Sequence, residues 1–375
     1  MKLFDLFQKK PSQRENLNWA WLDTRPSLYK FLIEGLDEAG RLLPDHTILP
    51  DQKLVPNREY AHIPGARDGY RLLHTHLKAH PRQVEEIVEQ FAHAVETFDD
   101  VDLRKFYEKL VHFDLMPSLE YLMDALSRHP LDPARVFTFA AQLALHSADR
   151  QALKFALVVL SFYQLPEVRA LALLFSQHDE FTYYSLLCLE NFEDRFQSDC
   201  FMLAQCVYGW GRIHTVKALI PTLTADETEI ADWLVREGFH STVSDAYLAA
   251  QVVDDGRLLE RLSVPTIDNG LLHASAILIA ALLDPTSPSE DITRVKDGLR
   301  LVKEYLRHLT GNRQTHMHQP TLIRLKGILL SLGEPTENEF LKNLTKKGWH
   351  EDRELLRLLA VVLDDDDLFQ KALDS

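Results

Sequence analysis

Cysteine is nearly missing: only Cys188, Cys200 and Cys206 occur among 375 residues. Three thiols with no leader-like stretch ahead of them make no disulfide framework and fit a reducing, cytoplasmic setting, each acting as a small buried hydrophobe. Glycine is scarce at 14 residues, and convincing alternation of apolar and polar residues is absent, which argues against a turn-rich β protein. Long apolar runs are missing too. Phe155 to Tyr163 and Ala274 to Leu283 reach roughly half of the ~20 residues that a membrane-spanning helix needs. The chain also lacks a Gly-x-Ser-x-Gly elbow, a phosphate-cradling glycine loop, a dinucleotide fingerprint and a His-Glu-x-x-His pair. The common hydrolase, kinase, nucleotide and metalloprotease routes therefore lack their local parts. No catalytic residue, metal ligand or cofactor is assigned, and the reading leans away from an enzyme.

What is present is a helix-forming composition, 46% hydrophobic and 26% charged, with a formal charge of −15. That charge repels a polyanion as a whole, so nucleic acid is disfavoured as a general partner. The length exceeds one ordinary core and calls for several domains or a repeat array. From about Arg82 onward, apolar runs of helical period are separated by short Pro, Gly, Asp and Ser punctuation. Capping boxes are expected at Thr224 with Glu227, Ser287 with Glu290 and Thr336 with Glu339, and Asp132-Pro133 reads as a cap followed by proline at the first helical position.

Phe106, Phe155, Phe201 and Tyr247 lie 49, 46 and 46 residues apart, each expected to lead an apolar helix that a turn ends within roughly ten residues. The turns are Met116-Pro117, Leu165-Pro166, Gly209-Trp210-Gly211 and Asp254-Asp255-Gly256. A second helix follows each turn, and Asp132, Asp179, Asp226 and Asp268 are placed to open a third. The expected fold is all-α, an irregular α-solenoid of stacked three-helix units of about 46–49 residues. Residues 1–81 supply a capping helix and a proline-rich crossing segment, 82–286 the array, and 287–375 further repeats and a cap.

Met202 to Leu219 resembles the helix-turn-helix of ankyrin-type repeats, and Pro166 to Leu174 is similar to the second helix of HEAT repeats. The ankyrin Thr-Pro-Leu-His signature does not occur and the spacing is longer than ankyrin's, so HEAT or armadillo-like stacking stays equally open. The resemblance implies a scaffold that binds other proteins, and it transfers no site residues.

The remaining signals concern surfaces. Leu42 to Asp68 holds Pro44, Pro50, Pro56 and Pro64 and is expected to cross the array as an ordered segment, with a short hairpin around Pro50-Asp51 as an alternative. Tyr60, His62, Arg67 and Tyr70 would then border a groove that takes a protein or peptide partner. A long amphipathic helix is expected over Glu290 to His308, with Lys296, Arg300, Lys303 and Arg307 on one face. Residues 291–350 carry 11 Lys or Arg against 6 Asp or Glu, so the face of 294–307 is the alternative site, for nucleic acid or another anion. A third alternative is an enzyme built on His74, Glu89, His93, Glu108 and His112. His74 and His76 point about 200° apart on a helix and cannot share one ion. The pair His316 and His318 lacks a nearby acid or thiol to complete a metal set.

Overall fold

The computed structural model of the chain describes residues 16–22, 24–52, 63–287, 290–310, 315–332 and 335–365. Among them every regular element is a helix, 19 α-helices with a few short 3-10 turns, and the only β pairing is a single bridge between Leu36 and Leu42. The all-α expectation holds. No described helix is long and apolar enough to cross a membrane.

Two compact units divide the chain, Met1–Ala218 and Leu219–Ser375. The first holds α1 (Leu28–Glu34), α2 (Ala66–His74), α3 (Pro81–Thr97), α4 (Asp100–Leu110), α5 (Leu119–Arg128), α6 (Pro133–His146), α7 (Arg150–Leu160), α8 (Pro166–Phe175), α9 (Thr182–Leu189), α10 (Glu193–Ala204) and α11 (Trp210–Leu219), whose last residue falls across the boundary. The second holds α12 (Thr228–Trp233), a π turn at Leu234–Gly238, α13 (Ala246–Asp255), α14 (Leu258–Leu262), α15 (Asn269–Leu282), α16 (Gly298–Leu309), α17 (Gln319–Ser331), α18 (Glu339–Lys346) and α19 (Arg353–Leu363).

Local chemistry sets many of the boundaries. Pro81, Pro133 and Pro166 each open a helix where the missing N–H costs nothing. The Asp132 carboxylate accepts from the N–H groups of Ala134 and Arg135, and Asp268 accepts from Leu271. Other expected starts moved. Asn338 caps α18 in place of Thr336, whose hydroxyl instead accepts from Asn338. Glu227 does reach back to the N–H of Thr224, one turn ahead of α12. Asp179 and Asp226 open no helix.

The long helix expected over 290–308 is shorter, because α16 begins only at Gly298. Asp291 turns its carboxylate onto the backbone N–H and hydroxyl of Thr293, and Asp297 adopts a left-handed φ of 55°. Such local side-chain bonds offer the backbone an alternative to the helix. Ile292 and Val295 are still buried, so the apolar period survives in a different conformation.

The core of the first unit is aromatic. Phe155 of α7 meets Phe91 of α3 at 5.2 Å and Phe106 of α4 at 5.3 Å between ring centroids, and Phe139 of α6 stands edge-on to Phe91 at 5.6 Å. These geometries bring opposite parts of the ring quadrupoles together. Trp19 and Trp21 dock against Tyr107 at 6.1 and 5.1 Å, which ties the chain's early residues to α4. In the second unit α15 packs against α13, α16 and α17, and α16 against α14 and α19. Replacing Phe155 by Ala is expected to cost about 3–5 kcal/mol, read as a lower urea midpoint with unchanged helical circular dichroism before unfolding.

Candidate functional site

Helix α7 is buried along every residue from Ala152 to Leu160, and one of those residues is Lys154, only 1% exposed. An ammonium in such surroundings must be matched, because taking a lone charge out of water costs several kcal/mol. Its Nζ donates to Asp68 at 2.7 Å and to Glu180 at 2.6 Å, and the Tyr184 hydroxyl donates to the same Asp68 oxygen at 2.7 Å. Burial pulls the Lys154 pKa down, and the charges of Glu180 and Asp68 with their hydrogen bonds more than reverse this, so the ammonium persists. Burial likewise opposes the charge on Glu180, but Lys154 and Arg150 hold its pKa down at about 2.

Asp51 makes the next link. Its carboxylate takes a fork of two bonds from the Arg150 guanidinium, each 3.0 Å, and a bond from the Arg150 backbone N–H at 2.9 Å. The residue placed to cap α7, Asp149, is committed elsewhere, to Arg25 and the Tyr107 hydroxyl. Asp51 therefore caps α7 from 99 residues away in sequence.

Three consecutive residues between α8 and α9 anchor three separate segments. The His178 Nδ1 accepts from the Glu180 N–H, which leaves Nε2 to carry the proton toward the Thr47 carbonyl at 3.2 Å. Asp179 accepts from the N–H of Gly211 at 2.7 Å, at the start of α11, and Glu180 accepts from the N–H of Gly65 at 2.8 Å, just before α2. Burial pushes the Asp179 carboxyl up to about 6 even though the Gly211 and Gly209 N–H groups favour its charge. Burial holds His178 and His214 neutral, each with a pKa of about 4. Two glycines permit the approach of α2. Gly65 adopts a left-handed φ of 73°, and a Cβ on Gly69 would stand 2.2 Å from the Trp210 ring.

The segment so fastened forms one wall of a cleft of about 510 Å³. Leu72, Leu77 and Ala79 come from α2 and the residues after it, Met116, Pro117, Leu119, Glu120, Tyr121 and Asp124 from α5 and its approach, and Tyr183 from α9. The His80 N–H donates to the Ser118 hydroxyl at 3.0 Å, holding the loop after α2 to the start of α5. Arg67 and Arg71 both reach Asp114, the former at 2.9 Å.

Of the residues expected to border a groove, Arg67 and Tyr70 lie on α2 beside this cleft without lining it; Tyr70 is 55% exposed and pairs its ring with His74 at 4.7 Å. Tyr60 and His62, like the second half of the expected hairpin, lie outside the described residues. The basic residues are mostly matched by carboxylates. Lys303 meets Asp352 at 3.0 Å and Glu354 at 3.1 Å, Arg307 meets Glu304 at 2.6 Å and Glu354 at 2.5 Å, and Arg300 stands 3.9 Å from Glu304. Asp254 accepts from the backbone N–H of Lys296, not from its ammonium. His93 pairs with Asp102 at 3.2 Å, and among the described residues no three His, Cys, Asp or Glu side chains come together as a metal set. Cys188 and Cys200 are buried, the latter thiol pushed up to about 12 by burial first, whereas Cys206 is only half-buried. No signal in the sequence marked Lys154, since the residues after it read as a continuous apolar run. Comparison of the chain with family models, curated proteins and solved structures finds no match.

Two outcomes follow from the cluster. Lys154→Ala takes the shared ammonium from two buried carboxylates and is expected to lower stability by about 3–5 kcal/mol, measured by chemical denaturation at pH 7. His178 and His214 are neutral in both folded and unfolded chains above pH 6.5; below it the unfolded chain binds protons first, so stability falls as pH drops from 6.5 toward 4. Asp179 acts in the opposite sense, its penalty easing as pH falls through about 6 toward 3.8. His214→Phe should shrink the stability difference between pH 7 and pH 4.5 by about 2 kcal/mol; an unchanged difference would show that His214 titrates normally.

Proposed function

We propose that this protein is a non-enzymatic scaffold that binds another protein or peptide, and that its docking point is the cleft between α2 and α5. Within the first unit α9 packs against α7 and α8, and within the second α13 packs against α14 and α15, which supports three-helix sets stacking as an irregular α-solenoid of the HEAT, armadillo or ankyrin kind. The observation that carries the reading is the cleft itself. Its volume of about 510 Å³ is in the range of binding pockets, and its lining combines apolar side chains with a few polar groups near an acidic rim.

The shifted ionisable groups argue for architecture in preference to catalysis. Lys154, Glu180 and Arg150 neutralise one another, His178 and His214 are held neutral by burial, and the thiols of Cys188 and Cys200 are pushed away from reactivity. A scaffold needs a rigid wall more than a reactive group.

Leu77 is 36% exposed and lines the cleft, so Leu77→Asp should fold normally while spoiling the apolar surface. Immobilised wild-type protein is expected to retain a protein partner that Leu77→Asp loses by about tenfold or more, with matched thermal unfolding curves. Partners retained equally by both would overturn the cleft as the docking point.

A further inference from the structure

Resting on that reading of the cleft, we infer that the side chain it accepts is basic, a lysine or arginine projecting from the partner. Glu120 and Asp124 stand four residues apart on α5, hence on one face, and both are exposed at the cleft. Among the described residues no cation pairs with Glu120. Asp124 has only Arg128 at 3.3 Å, a pair more than half exposed on both sides and of little energetic weight.

The polar groups beside these carboxylates suit a cation. Tyr183 is half-buried, and burial followed by the charges of Glu190 and Glu120 raises its pKa, so the phenol stays neutral with lone pairs available to an N–H donor. Tyr121 gives its hydroxyl to Glu85 at 2.8 Å, and its ring already lies under the guanidinium of Arg128 at 5.8 Å, so this rim of the cleft holds one cation of the chain's own. Leu72, Leu77, Met116 and Leu119 supply the apolar surface along which a long alkyl stem lies while its charged head reaches the rim.

Other occupants fit less well. An acidic side chain would meet two carboxylates. A purely apolar one would cover Glu120 and leave it without a hydrogen-bond partner, a desolvation cost with no return. The formal charge of −15 adds a long-range preference for a basic partner.

The test uses the full chain and short fluorescent peptides, each with Lys, Arg, norleucine or Glu fixed at the centre of a mixed apolar background, read by polarisation. Lysine and arginine pools are expected to bind about tenfold tighter than the norleucine pool, with the gap closing in high salt. Glu120→Gln should remove most of that preference, bringing the lysine and arginine pools close to the norleucine pool. If lysine and norleucine pools bind equally and Leu77→Asp abolishes both, the docking cleft stands and the basic occupant is overturned. Binding by none of the pools overturns both the occupant and the cleft.

Discussion

A single buried ammonium organises the first unit. Lys154 sits in a helix with no side open to water, so its charge survives only where Asp68 and Glu180 meet it. Those two carboxylates come from residues 86 and 26 positions away, and satisfying Lys154 therefore fixes where α2 and the α8–α9 loop must lie. An apolar residue at 154 would pack as well against α7's neighbours but would not select that arrangement.

The same loop extends the constraint to other segments. His178 holds Thr47, Asp179 holds the start of α11, and Glu180 holds the entry to α2. Both described ends of the proline-rich crossing segment are thus bonded to one short turn, without any strand or disulfide. Because α2 is fastened at Asp68 and further tied through Arg67 and Arg71 to Asp114, the cleft it shares with α5 has a firm wall. A preformed wall lowers the ordering cost of whatever the cleft binds under the proposed reading.

Much of the helix pattern was legible because it is written in local chemistry. Pro133 after Asp132, Pro166 after Leu165, and the glycine at 256 each act within one turn of backbone, and the helices begin or end there. Legibility failed where a side chain chose a different partner from the nearest one. Asp179 reads as a helix opener but faces α11, and Asp297 stops the amphipathic run by adopting a left-handed turn. The cleft was not legible: Arg67 and Tyr70 lie on α2 without lining it, while Glu120, Tyr121 and Tyr183 look like ordinary residues of amphipathic helices until three helices bring them together.

The sequence by itself determined that this chain is helical, where most helices start, and which faces are apolar, since propensity, capping and periodicity act over a few residues. Only the tertiary structure decided that Lys154 is buried and matched, that Asp51 caps a distant helix, and that the carboxylates of Asp352 and Glu354 at the start of α19 face basic side chains of α16. Those outcomes depend on distances between residues far apart in the chain, and charge pairing across such separations leaves no periodic trace in the order of residues.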